Sequence, residues 1–231
     1  MSNATLRLLH LCDSLFPIGG FAYSDGLESA TASGAIVDQR GLRAWLDVML
    51  DETVGRLEGP CVWLSHAAFA EARWEDLAAL DEELTALRPS ASARRSSRAM
   101  GSRLLVTWRR LHPDARLDHL QSLGRAAHAG PALPIAFAAA CASACVDRRS
   151  TVEAFAYTRL NACVSAAMRL MPIGQTEAHA LLADLLERVP GVVDGIVNRH
   201  HAGLAIPESF TPAADIASMT QQYLHSRLFR S

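Results

Sequence analysis

Hydrophobic positions recur at intervals of three and four residues along most of this chain, which is the spacing of one face of an α-helix. The clearest stripe follows Asp38, a good N-cap residue, and runs from 42 to 57, where we expect Gly59-Pro60 to end the helix. Two further stripes end at Pro89 and Pro113. No segment alternates convincingly with a period of two, so the pattern predicts no β-strand.

The middle of the chain continues in the same way. Pro134 opens an alanine-rich helical segment. Ser150 and Glu153 have the spacing of a capping box, and they predict the start of a long helix from about Thr151 to Met171. We expect Arg169, on that helix, to be paired if the helix is buried, because an unpaired buried arginine is costly.

Near the C-terminus, Thr176 is predicted to cap a helix that ends before Pro190. The stretch from Gly191 to Pro212 is rich in proline and glycine and predicts a loop, and a last helix is expected from about Asp215 to Phe229. Together these patterns predict an all-α fold, a single-domain helical bundle of about eight to ten helices that spans residues 1–231.

The amino-acid composition excludes several classes of function. Hydrophobic residues make up 50% of the 231 positions, and the formal net charge is −2, so no global basic field attracts nucleic acid or a membrane. All 22 basic residues are arginine. A chain without lysine has no Walker A phosphate loop and no lysine for Schiff-base chemistry, which excludes both from this chain.

The cysteine pattern is typical of a reducing compartment. The 5 cysteines are an odd number, and most lie inside apolar helical patterns. We find no signal peptide and no uncharged apolar run of about 18 residues, so we expect free thiols, a cytoplasmic protein and no transmembrane span.

The sequence contains only weak candidates for a metal-binding or catalytic site. His200-His201 could hold a metal but has no third ligand at a recognisable spacing, and a solvated pair in a loop is the favoured interpretation. Cys141 and Cys145 could share a soft metal, although small core residues are favoured there. Ser24 has Ala22 where a nucleophile elbow needs its first glycine, and it is better placed as an N-cap. We therefore predict no catalytic residue, no metal ligand and no cofactor.

An arginine-rich stretch from Arg88 to Arg116 follows an acidic stretch from Glu71 to Glu83. Mutual neutralisation of two neighbouring helices, or a solvated face, is the favoured interpretation. A docking face for an acidic protein is the alternative. Nucleic-acid binding would need aromatic residues beside the arginines, and only Trp108 is available.

Several sequence blocks mix turn residues, aromatics and a few polar groups. They are Leu8-Leu9 to Asp13-Ser14, Pro17-Ile18-Gly19-Gly20-Phe21, Ser24-x-Gly26-Leu27-Glu28, Ser97-x-x-Met100-Gly101-x-x-Leu104-Leu105, Asn161-x-x-Val164-Ser165-Ala166-Ala167-x-Arg169-Leu170-x-Pro172-Ile173-Gly174-Gln175-Thr176, Asp215-Ile216-Ala217-Ser218-Met219 and Ser226-Arg227-Leu228-Phe229. In this order and over nearly the whole chain, they resemble the urease accessory protein UreF family.

The resemblance implies an all-helical, non-enzymatic adaptor in urease maturation. Such a protein binds UreD (also called UreH), and the pair dimerises, so that the chain forms a homodimer within the accessory complex. It recruits and gates the GTPase UreG and docks on apo-urease before nickel is inserted. The alternative is a helical metallochaperone that carries nickel on His200, His201 or cysteines. The chain departs from the family at Gln221-Gln222 and His225, which puts the detailed contacts of the C-terminus in question.

We expect the docking elements to be the N-terminal segment 1–23 and the C-terminal tail 212–231. Apolar and aromatic residues beside arginines are typical of interface anchors. The predicted partner-binding residues are Pro17, Ile18, Gly19, Gly20, Phe21, Tyr23, Glu28, Arg169, Gln175, Glu177, Arg227, Leu228, Phe229, Arg230 and Ser231. The alternative for Leu228 and Phe229 is that they cover the hydrophobic core of the chain itself.

Overall fold

The computed structural model describes residues 3–126, 130–204 and 206–230, and within these ranges the regular secondary structure is entirely helical. The prediction of an all-α bundle is confirmed. The helices are α1 (Ala4–Cys12), α2 (Leu27–Ala32), α3 (Gln39–Val48), α4 (Gly59–Ala70), α5 (Trp74–Ala86), α6 (Ala91–Leu111), α7 (Ala115–Ala126), α8 (Leu133–Ser143), α9 (Arg148–Leu170), α10 (Gln175–Leu186), α11 (Val189–His201) and α12 (Pro212–Thr220). None of the described helices is long and apolar enough to span a bilayer.

The helix after Asp38 does not end at Gly59-Pro60, and that prediction was wrong. A π-helical segment, Met49–Glu58, joins α3 to α4 without a break. Proline has no N–H to donate, and the Arg56 carbonyl oxygen that it would bind in an α-helix accepts instead from the Glu208 N–H at 3.0 Å. Gly59 fits because a Cβ there would lie 2.5 Å from the Val54 carbonyl oxygen.

One of three predicted helix starts is confirmed, and two were wrong. Asp38 caps α3 as expected, accepting a hydrogen bond from the Gly41 N–H at 2.8 Å. The long helix α9 begins earlier than Ser150, because Asp147 accepts from the Ser150 N–H at 2.9 Å and is the actual cap. Thr176 does not cap α10, whose first turn is closed by Glu177 on the Gly174 N–H at 3.3 Å.

The predicted loop from Gly191 to Pro212 was wrong over its first half, which forms α11. Pro190 lies in the first turn of this helix, where a missing N–H is harmless, so it opens the helix rather than breaking the chain. The predicted last helix was too long. It ends at Thr220, and one 3₁₀ turn, Gln221–Tyr223, leads into a tail without regular structure.

The core is centred on α8, which is buried from Leu133 to Cys141. A helix that is apolar on all sides must be enclosed by others, and α4, α6 and α9 pack around it. Trp108 on α6 is fully buried and its indole Nε1 donates to Ser143 Oγ at 3.0 Å. This layer supports the outer face, where α1, α2 and α12 lie against α9 and α6.

Replacing Gly59 by alanine tests the continuity between the π-segment and α4. The new Cβ would lie 2.5 Å from the Val54 oxygen and 2.6 Å from Ile196 Cδ1. We expect the free energy of unfolding to fall by about 1–3 kcal/mol, measured by urea denaturation.

The matched control is Gly191→Ala, since no atom lies within 4 Å of its Cβ position. This variant should be as stable as the parent or slightly more stable. Equal stability of Gly59→Ala and Gly191→Ala would contradict the tight packing at the junction.

Candidate partner-docking site

The N-terminal loop between α1 and α2 is held in one conformation. Gly19 has a φ of +75°, in the left-handed region that favours glycine. Arg103 of α6 donates to the Ile18 carbonyl oxygen at 3.0 Å. Phe16 is buried beneath the loop, whereas 75% of Phe21 is exposed. The loop therefore presents one aromatic side chain to solvent and anchors the other.

Only one of the two adjacent glycines has a backbone conformation that favours glycine. The left-handed backbone belongs to Gly19. Gly20 begins a 3₁₀ turn, and a Cβ there would make only ordinary contacts of 3.7–3.8 Å.

The C-terminal tail is tied to α2 by the carboxylate of Glu28, which is only 5% exposed. One carboxylate oxygen accepts from the Leu228 N–H, and the other accepts from the Phe229 N–H at 3.3 Å. Gln221 Nε2 also donates to Glu28, at 3.0 Å. A buried carboxylate needs such donors to replace its lost hydration, so Glu28 and the tail fix each other.

Gln221 is one of the residues at which the chain departs from the family pattern, and the structure shows what it does. It is 3% exposed. Its amide donates to Glu28 and its oxygen accepts from Ser24 Oγ at 3.4 Å. A neutral amide is favourable at position 221 because its N–H donates to the Glu28 carboxylate, whereas an acidic side chain there would repel that carboxylate.

Arg169 joins the N-terminal loop to the tail. Its Nη1 donates to the Phe21 carbonyl oxygen at 2.9 Å, and its guanidinium lies 4.3 Å from the centroid of the Phe229 ring. The Arg230 N–H donates to the Ala22 carbonyl oxygen at 2.7 Å. The expectation that Arg169 is paired is met by a carbonyl and an aromatic face, although its side chain lies at the surface rather than in the core.

The two apolar residues of the tail lie in different environments. Phe229 is 4% exposed and belongs to the hydrophobic core. Leu228, its neighbour, is 55% exposed. One apolar side chain thus anchors the tail and the next is presented to solvent.

Helix α12 packs closely on the start of α2. Gly26 has a φ of +88°, and a Cβ there would lie 2.8 Å from the Ser218 backbone nitrogen. Ser29 and Thr220 share a hydrogen bond of 2.9 Å between their hydroxyls, and Ser218 Oγ donates to Ser90 Oγ at 2.9 Å. Polar contacts therefore hold most of this helix, in which only Ala217 is buried.

The remaining predicted residues are distributed unevenly. Pro17 is exposed and Tyr23 half-buried in the N-terminal loop. Gln175 and Glu177 lie at the exposed start of α10, where Glu177 acts as the cap described above. Arg227 is exposed in the tail. Ser231 lies outside the described residues.

The candidate metal ligands are separated. His200 and His201 are the last residues of α11, with ring centroids 6.1 Å apart. Cys141 is buried in α8, whereas Cys145 is exposed after the helix. Burial raises the pKa of the Cys61 thiol to about 12, which keeps it protonated. Within the described part of the chain, no three His, Cys, Asp or Glu side chains are grouped to hold a metal.

Sequence analysis missed a buried ion network beside this site. Glu58, at 3% exposed, accepts from Arg88 and from Arg159 Nε at 2.8 Å. Arg159 also pairs with Asp25 at 2.8 Å. Burial opposes the charge of Arg159, but the two carboxylates outweigh it and raise its pKa. The four residues come from separate segments, so no local pattern links them.

The chain matches a family model and several known proteins over most of its length. The family model for UreF matches residues 36–186. The chain is 32% identical over 230 residues to the urease accessory protein UreF of Azoarcus sp. (strain BH72), covering 98% of this chain and 95% of that protein. It is 34% identical over 230 residues to the urease accessory protein UreF of Methylibium petroleiphilum, covering 98% and 93%.

A third relative, the urease accessory protein UreF of Rhodopseudomonas palustris (strain BisB5), is 33% identical over 232 residues, covering 100% of this chain and 92% of that protein. These full-length matches place the chain among the urease accessory proteins. It belongs to the UreF family.

Replacing Glu28 by glutamine tests the anchor of the tail. The substitution keeps the shape but turns one acceptor into a donor that faces a backbone N–H. We expect faster hydrogen exchange at the Leu228 and Phe229 amides, and a loss of about 1–3 kcal/mol in the free energy of unfolding.

Glu82→Gln on α5 is the control, because Glu82 is an exposed acid. It should change neither quantity. Unchanged exchange at Leu228 and Phe229 in Glu28→Gln would show that the carboxylate does not hold the tail.

Gly19→Ala and Gly20→Ala form a matched pair that tests the loop. A Cβ on Gly19 would lie 2.5 Å from Arg103 Nη1 and would need a left-handed backbone. We expect Gly19→Ala to lose about 1 kcal/mol or more and Gly20→Ala to stay within about 0.5 kcal/mol of the parent, by thermal or urea unfolding. The reverse order would contradict the assigned turn.

Proposed function

We propose that this protein is a non-enzymatic adaptor of urease maturation that acts in the cytoplasm. It binds UreD (UreH), recruits and gates the GTPase UreG, and docks on apo-urease to assist nickel insertion. Within this assembly the chain forms a homodimer. The N-terminal segment 1–23 and the tail 212–231 of the single domain are the docking elements.

The observation that carries this proposal is the loop–tail surface, which we define as Phe21, Arg169, Leu228 and Arg230 with their backbone. Phe21 and Leu228 are exposed by 75% and 55%. Arg169 and the Arg230 N–H hold the two segments together. Large apolar side chains presented on a fixed backbone favour protein binding, because little conformational entropy is lost on association.

The absence of lysine supports the assignment of nucleotide hydrolysis to the partner GTPase. Without lysine, this chain cannot form the phosphate loop that a GTPase needs. Nucleotide chemistry therefore belongs to UreG, and this chain contributes surface and positioning. Gln175 and Glu177 lie at the exposed start of α10 and are proposed as a further docking contact.

The exposed Leu228 separates docking from folding. Leu228→Asp removes an exposed apolar side chain and retains the backbone N–H that binds Glu28. We expect the free energy of unfolding to stay within about 0.5 kcal/mol of the parent. Capture of purified UreD in a pull-down should fall by about tenfold or more.

Leu204→Asp is the control, since Leu204 is 62% exposed and lies outside the loop–tail surface. It should retain full capture. Full capture of UreD by Leu228→Asp, at unchanged stability, would contradict the proposed role of the tail.

A further inference from the structure

A large groove opens beside the loop–tail surface, between α2, α3, the π-segment, the start of α6 and α12. Its volume is about 1050 Å³, comparable with the largest ligand-binding cavities of proteins. Its walls are mainly apolar and include Ile36, Trp45, Met49, Leu57 and Met100. The packing of the chain leaves this space open although its walls are hydrophobic.

The rim of the groove carries large apolar side chains that lie in water. Val48 is 44% exposed, Ile216 62%, and Phe210 and Tyr223 each 80%, and all four line the groove. Apolar patches of this kind mark interaction surfaces rather than ordinary solvated surface. A small molecule in the groove would leave much of this rim in water, so the rim favours a macromolecular occupant.

The floor of the groove is polar but electrically balanced. Arg88 and Arg159 line it together with the carboxylates of Glu58 and Asp25. Arg88 donates to Glu58 through Nη2, and Arg159 donates to Glu58 through Nε and pairs with Asp25 through Nη1. Because both signs of charge are paired there, a further charge at the floor would lie close to a like charge.

One acid at the rim has no cationic partner among the described residues. Asp215 lines the groove and accepts from Thr211 Oγ1 at 3.2 Å. Burial raises the pKa of Asp215, and the Thr211 hydroxyl and the more distant Arg88 offset this only in part. A cation brought by a partner would stabilise the carboxylate in this setting.

From these features we infer that the groove binds an amphipathic helical segment of a partner protein. The segment inserts two or three bulky apolar side chains between Met49, Ile216 and Tyr223, and a neighbouring lysine or arginine pairs with Asp215. This is the general mode in which a helix lays its apolar face into a hydrophobic groove. The groove shares part of the tail 212–231 with the proposed docking elements, but Phe21, Arg169, Leu228 and Arg230 of the loop–tail surface do not line it. The two surfaces can therefore be tested separately.

The probe is a fluorescein-labelled amphipathic peptide of about 15 residues, long enough to form a helix when bound. It carries two leucines and a phenylalanine on one face and a lysine beside them. Fluorescence anisotropy with the full chain measures its Kd. Ile216→Asp should raise this Kd by about tenfold or more, because the variant places a charge in the apolar contact.

Ile206→Asp is the matched control, since Ile206 is 63% exposed but does not line the groove. It should bind the peptide like the parent. A second peptide, with norleucine in place of lysine, should bind the parent several-fold more weakly than the lysine peptide. That difference should disappear in Asp215→Asn.

Three results would overturn the inference. The first is equal peptide affinity of the parent and Ile216→Asp. The second is equal affinity of the parent for the lysine and norleucine peptides. The third is a dimer of the parent that becomes a monomer in Ile216→Asp by light scattering, which would assign the groove to a second copy of this chain. In each case, capture of UreD through Leu228 is measured separately and is not affected.

Discussion

The outer face of this protein depends on one buried carboxylate. Glu28 lies near the start of α2, and the amides that it binds, Leu228 and Phe229, are 200 and 201 residues away in sequence. Among the described residues its donors are two backbone N–H groups and the Gln221 amide, so the interaction has direction as well as strength. Because the tail has no regular secondary structure, this acceptor and the burial of Phe229 set its path. The positions of Leu228 and Arg230 beside the N-terminal loop follow from that path.

A second buried carboxylate organises the neighbouring region. Glu58 receives two arginines from α9 and from the residues before α6, and Arg159 carries the connection on to Asp25. Removing one member of such a network is more damaging than its net contribution suggests, because the remaining charges stay buried and unpaired. The network thus fixes the π-segment against α9 and forms the floor of the groove. Glu28 thus holds the tail at the loop–tail surface, and Glu58 lines the groove.

Local patterns predicted the elements that depend on local interactions. The Asp38 cap and the apolar stripe that follows it identified α3, and the apolar segment that Pro134 opens identified α8. Proline misled the sequence analysis twice, at Pro60 and Pro190, since its effect depends on whether the turn before it is α-helical, π-helical or absent. Family resemblance drew attention to Glu28 and Gly26 without indicating what they contact. Those contacts join segments about 200 residues apart, and no periodicity or spacing encodes them.

Hydrogen–deuterium exchange of the chain alone and bound to purified UreD tests the central claim most directly. We propose that the N-terminal loop and the tail act as one docking surface because Glu28, Arg169 and the Arg230 amide connect them. We therefore expect UreD to slow exchange in residues 15–23 and 224–230 together. Protection confined to one of these segments, or found only on helices far from both, would contradict it.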